Sequence, residues 1–182
     1  MTDSTYNVLL YSDGSHQAFS AAVYTADLLK NMPNMHLTVV QVQESDVVSP
    51  EDKYRWIDTW PAHPTSDWME RIINETDVDN KKQYLEILTK TNKIFTDRAQ
   101  NVGHHVIYSN TSISDTVDAI IDYATKNSFK LIIMGTRGLT TLKGLIFGCS
   151  AHNVLNRSPI PVLLVKKLPQ EFIDNYCLEN EL

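Results

Sequence analysis

Cysteine is scarce in this chain: there are two in 182 residues, Cys149 and Cys177. They form no CxxC pair, which excludes a zinc-finger ligand set and a disulfide framework. Long apolar runs are missing as well. No stretch approaches the roughly 20 residues that a membrane-crossing helix needs. Basic charge is not in excess either: 16 Lys and Arg stand against 22 Asp and Glu, a net charge of −6. Such a chain lacks the electrostatic footprint of a nucleic-acid binder, so neither nucleic acid nor membrane is expected as a partner. The opening residues MTDSTYNVLLYSD have no basic segment ahead of an apolar one. The expectation is no secretory leader, reduced thiols and a cytoplasmic location.

Glycine is the most informative scarcity. There are six, and four of them, Gly135, Gly138, Gly144 and Gly148, fall within residues 135–148. They interrupt the sequence LIIMGTRGLTTLKGLIFGCS, residues 131–150. Leu131–Met134 is short, apolar and ends in glycine, which fits a strand buried on both faces. CSAHNVLNR after Gly148 reads as a helix start. A strand, a glycine loop and a helix N-terminus make an anion site, because glycine lets a ligand approach backbone N–H groups that the helix dipole already favours for negative charge. The stretch therefore reads as a phosphate cradle. It is neither GxxxxGK[ST], since Lys143 precedes Gly144, nor GxGxxG.

The remaining sequence alternates strand and helix patterns. Asn7–Tyr11 predicts a first strand. Ser15 is placed to cap a helix whose apolar face is Ala18, Phe19, Ala22, Val23, Ala26 and Leu29. His36–Val42 predicts a second strand. Residues 43–79 break the pattern; they hold all three tryptophans and three of the seven prolines. They are too long for a connector and read as an insertion: a lid, or a loop packed on its own domain. From 79 to 102 apolar residues return at helical spacing, with Gly103 expected just past the helix end. His105–Tyr108 predicts a third strand, Ser114 a cap with Asp115 in the first turn, and Ile160–Val165 a fifth strand. Residues 169–182 form a tail with near-helical spacing of Phe172, Ile173 and Tyr176.

Five strands alternating with helices predict an α/β fold: a doubly wound five-stranded parallel sheet, order 3-2-1-4-5, with helices on both faces, in one domain spanning 1–168. Ligands of such sheets bind at the carboxyl ends of the strands where the winding reverses. Here that point brings Ser12 and Asp13 beside Met134, Gly135 and Gly138. The switch point of the sheet and the glycine loop fall at one crevice. It offers Asp13, Ser12, Ser150 and Cys149 but no evident base beside a nucleophile, so no catalytic residue is assigned. Asp13 could hold Mg²⁺ that accompanies phosphates, or make an Asx turn before the first helix, or both. His104 and His105 are adjacent on a strand and point to opposite faces, a poor metal pair. His152 reads as a surface residue.

The spacing Gly135-x2-Gly138-x9-Gly148, with MGTRG, GLTTLKG, the YSDGS turn and the closing SPIPVLLV strand, resembles the universal stress protein family. The likeness covers Val8 to Val165 apart from 43–79. In that family the third glycine precedes Ser or Thr; here Cys149 stands in that place, with Ser150 next. The resemblance implies binding of ATP, or AMP, with Mg²⁺ at the phosphates. Carried over by position, Asp13 lies near ribose and phosphates, the Val42 backbone meets adenine, and Gly135, Gly138 and Gly148 surround ribose and phosphates. Ser150 and Ala151 present helix N–H groups. Tyr11 takes a place at the adenine edge that often holds a smaller residue. Arg137 is either a ligand contact or a solvated cation. The resemblance further implies a cytoplasmic stress-response homodimer paired through Ile160–Val165, an unidentified client protein and at most slow ATP hydrolysis. Two alternatives stay open, a nucleotide-independent interaction protein and a slow ATPase or phosphotransferase.

Overall fold

The computed structural model of the chain describes residues 5–44, helical residues 86–87, 89–91 and 93–95, and residues 101–110, 112–137 and 148–180. Its strands are β1 (Tyr6–Tyr11), β2 (Met35–Glu44), β3 (Val102–Ser109), β4 (Leu131–Gly135) and β5 (Val162–Val165). Its helices are α1 (His16–Asn31), α2 (the helical residues between 86 and 95), α3 (Ile113–Lys126), α4 (Cys149–Arg157) and α5 (Gln170–Glu179). Every strand pair is parallel, and the sheet order is β3-β2-β1-β4-β5, as the alternation of patterns predicts. The tryptophan-rich stretch lies outside the described residues, except that β2 continues to Glu44, two residues past the expected end.

The central strands are apolar on consecutive positions because helices cover both faces of the sheet. Val8, Leu9 and Leu10 are all fully buried. Val8 and Leu10 belong to a cluster with Phe19, Ala22 and Ala26 of α1 and Ile173 and Tyr176 of α5. Leu9 belongs to the opposite cluster with Val117 and Ile120 of α3 and Val154 of α4. Ile87, Thr91, Ile94 and Phe95 of α2 are buried at the spacing their periodicity predicts.

Several boundaries differ from the sequence reading. The cap of α3 is Ser112, not Ser114: its hydroxyl accepts from the Asp115 amide at 3.0 Å and donates to the Asp115 carboxylate at 2.8 Å. The reciprocal three-residue spacing selects 112, while Ser114 lies inside the helix. Gly103 is not a helix end but a strand residue, paired with Thr38, because β3 begins at Val102 opposite Leu37. β5 also starts later than Ile160. Pro161 supplies its carbonyl to the Ile132 amide at 3.0 Å but has no N–H to continue the ladder.

His105 is buried on β3 and stacks on Tyr123 of α3, with ring centroids 4.6 Å apart and planes at 28°. Burial holds both His104 and His105 below the usual histidine range. Their folded-state affinity for protons is thus weaker than that of the unfolded chain, which takes up protons near pH ~6.5. Stability is full above that pH and falls as pH drops through it, until the folded-state values are reached. The urea midpoint should accordingly fall between about pH 7.5 and about pH 5.5, and His105→Gln should flatten that slope. An identical slope in the variant would remove His105 from the explanation.

Candidate functional site

Strand order puts the ends of β1 and β4 side by side, with Tyr11 opposite Met134. The chain then leaves β1 through Ser12–Ser15 and β4 through Thr136 and Arg137, so two turns face each other at the point where the winding reverses. The Asp13 carboxylate accepts from the Ser15 amide at 3.0 Å, an Asx turn, and Gly14 follows with φ of 79°. Ser15 Oγ accepts from the Ala18 amide at 3.1 Å and caps α1; the same hydroxyl donates to the Arg137 carbonyl at 3.2 Å. Thr136 ties the other side: its amide donates to Val165 O at 2.9 Å and its carbonyl accepts from the Gly148 amide at 2.8 Å. That bond sets the start of α4 beside the end of β4.

Gly135 has a local reason to be glycine. A Cβ there would lie 2.7 Å from the Gln17 carbonyl carbon and 2.9 Å from the Ala18 nitrogen. The end of β4 therefore meets the first turn of α1 backbone to backbone. Gly148 is the N-cap of α4 and carries no side-chain cap. Of the four N-terminal amides, Gly148 donates to Thr136; the first intrahelical bond is His152 N–H to Gly148 O. The amides of Cys149, Ser150 and Ala151 lie in the turn that has no intrahelical acceptor and carries the positive end of the dipole.

The residues singled out from sequence thus sit as follows. Ser12 and Asp13 continue from β1, with the Ser12 amide bonded to Val40 O at 2.9 Å. Tyr11, Val42, Met134 and Ala151 belong to one buried cluster on the α3–α4 side of the sheet. Met134 and Gly135 end β4, Arg137 lies in the turn after it, Gly148 caps α4, and Cys149 and Ser150 open that helix. Gly138 lies outside the described residues. His152 is exposed on α4, beside Asn156. Two participants went unassigned in sequence: Ser15 as a bridge to Arg137, and Thr136 as the clasp of α4. Nothing local marks them, since both act through partners far along the chain. Among the described residues no group of three or more His, Cys, Asp or Glu gathers for a metal ion, and no helix is long and apolar enough to cross a membrane.

A family model described as the universal stress protein family matches residues 5–166. The chain belongs to the universal stress protein family. Among curated relatives, universal stress protein YxiE of Bacillus subtilis is 28% identical over 155 residues, covering 85% of this chain and 93% of that protein. Among solved structures, universal stress protein UspA from Lactobacillus plantarum has a TM-score of 0.56 at 17% identity, covering 88% of this chain and 97% of that one. A universal stress protein solved in complex with cAMP has a TM-score of 0.52 at 17% identity, covering 90% of this chain and 98% of that one. The structural likenesses carry the fold. The family match ends at residue 166, so α5 lies beyond it.

The Gly135 contact yields a test. Gly135→Ala should destabilise the protein by ~2 kcal/mol, the usual scale for forcing an extra carbon into a packed site, read as a lower urea midpoint. A variant as stable as the parent would show that α1 does not bear on β4 there.

Proposed function

We propose that this universal stress protein binds an adenine nucleotide, ATP or AMP, in the crevice between the β1 and β4 turns and the start of α4, and acts as a cytoplasmic regulatory protein rather than a fast enzyme. The observation that carries this reading is the first turn of α4, held at the switch point of the sheet by the Gly148–Thr136 bond. Three consecutive amides and a dipole end there suit phosphate oxygens. Ser150 adds a hydroxyl, and the Val42 backbone edge is the adenine contact. A fold neighbour solved with cAMP supports a nucleotide as the ligand class.

Asp13 is the one carboxylate among the assigned residues. A lone carboxylate suits Mg²⁺ that arrives with phosphates and keeps most of its water, not a resident metal. Among the described residues the crevice pairs no base with a nucleophile, which favours binding and release over turnover.

Cys149 opens α4, where a Ser or Thr hydroxyl would donate towards phosphate and a thiol donates weakly. In calorimetric titration, ATP with Mg²⁺ should bind wild type. Cys149→Ser should tighten binding by about 1 kcal/mol, roughly fivefold. Gly148→Val keeps the amide but crowds the approach and should weaken binding at least about tenfold. Absence of ATP binding by the wild type, or unchanged affinity in both variants, overturns the reading.

We propose in addition that the protein pairs with a second copy through β5. The strand is the sheet edge. The Pro161 and Val165 carbonyls face β4, so by alternation the peptide groups of Val162 and Leu164 face away from it. Leu163 packs on the α1 side and Val162 and Leu164 on the other. Sedimentation at ~10 µM, above the dissociation constant of an ordinary stable dimer, should give the dimer mass; a single monomer species refutes the pairing.

A further inference from the structure

A cavity of about 190 Å³ opens between α1, α2 and α5. Its tail-side wall, from Lys167 onwards, lies beyond the family match at 166, and the crevice reading does not use it. The cavity has an apolar body: Phe19, Ile87, Leu168 and Ile173 line it, and three of these four are buried core residues. Its ends differ in charge. On the α2–α5 side stand Glu86, Lys90 and Asp174, with Lys90 Nζ 2.7 Å from the Glu86 carboxylate. The Glu86 bond raises Lys90 above the usual lysine range and Asp174 adds to it, so one ammonium faces two carboxylates. Cys177 also lines this side, and burial pushes its thiol up, leaving it neutral. On the α1 side stand Lys167 and His16. Leu168 is anchored there, its amide donating to Ser20 Oγ at 3.1 Å, one helical turn from His16.

We propose that this cavity binds a free α-amino acid with an apolar side chain. The ligand carboxylate meets Lys167 and His16, its ammonium meets Glu86 and Asp174, and its side chain covers Phe19, Ile87, Leu168 and Ile173. Size agrees: an apolar cavity of roughly 150 Å³ suffices for benzene, so this one admits a single small side chain with its polar head and not a nucleotide. A bipolar rim around an apolar floor selects a zwitterion over a fatty acid or an amine, because either of those leaves one end of the cavity unmatched. The cavity shares the first turn of α1 with the crevice, since His16 follows Ser15.

The test is ligand-observed saturation-transfer NMR on the nucleotide-free protein, with L-leucine, isocaproate and isoamylamine; the last two each lack one of leucine's charges. Leucine should bind with a dissociation constant on the order of 1 mM, and each comparator about fivefold more weakly, the scale of one partly exposed ion pair. Lys167→Glu should weaken leucine and isocaproate by about fivefold without weakening isoamylamine. Asp174→Asn should weaken leucine and isoamylamine and spare isocaproate. Both residues are exposed, and circular dichroism checks that the variants fold. No transfer from leucine, equal binding of all three compounds, or indifference to both variants overturns the proposal. Because no nucleotide is present, the outcome is separate from that of the ATP titration.

Discussion

Everything at the carboxyl edge of this sheet depends on one backbone contact. The end of β4 touches the first turn of α1 at Gly135, where a single added carbon would lie 2.7 Å from Gln17. Because α1 sits that low on the sheet, the Ser15 hydroxyl reaches the Arg137 carbonyl. The turn after β4 is thereby fixed relative to the turn after β1, and Thr136 can meet Gly148. A side chain at 135 would require the β4 end or the first turn of α1 to shift, since the nearest atoms it meets belong to the backbone of Gln17 and Ala18. The glycine that looks like a ligand contact in sequence is first a packing requirement.

The two faces of the sheet divide the labour. On one, α1 and α5 bury Phe19, Ile173 and Tyr176 against β1, and Lys30 lies 5.1 Å above the Tyr176 ring. On the other, α3 and α4 bury Val117, Ile120 and Val154, and an ion pair between Asp118 and Arg157 joins them at the surface. That exposed pair adds little stability; the apolar area beneath it holds the two helices to the sheet. α4 is short, so its position rests on Val154, Ala151 and the Thr136 clasp.

Much of this was legible in sequence, for physical reasons that differ by element. Strand order follows from alternation plus right-handed crossovers, and both were readable because β1, β4 and the face of α1 are strongly patterned. Ser15 announced itself as a cap by its place before Ala18 and Phe19. Ser112 did not, because Ser114, two residues on, competes for the same role. Gly103 misled for a related reason: a glycine after a helical run signals a helix end, and only the partner strand, with Thr38 opposite, makes it part of a ladder. At the site, Asp13, Met134, Gly135 and Gly148 were legible as residue types at strand and helix ends. The Ser15–Arg137 bond spans 122 positions, and no local pattern encodes a contact of that range.

The Thr136 clasp is made of main chain alone. The 2.8 Å bond runs from the Gly148 amide to the Thr136 carbonyl, and the neighbouring Thr136 amide bonds the Val165 carbonyl. No side chain takes part in either bond, so the identity of residue 136 can vary without removing a donor or an acceptor. Only proline, which lacks the N–H, would delete a bond at 136 or at 148. The address of α4 is therefore written in backbone geometry and not in side-chain chemistry.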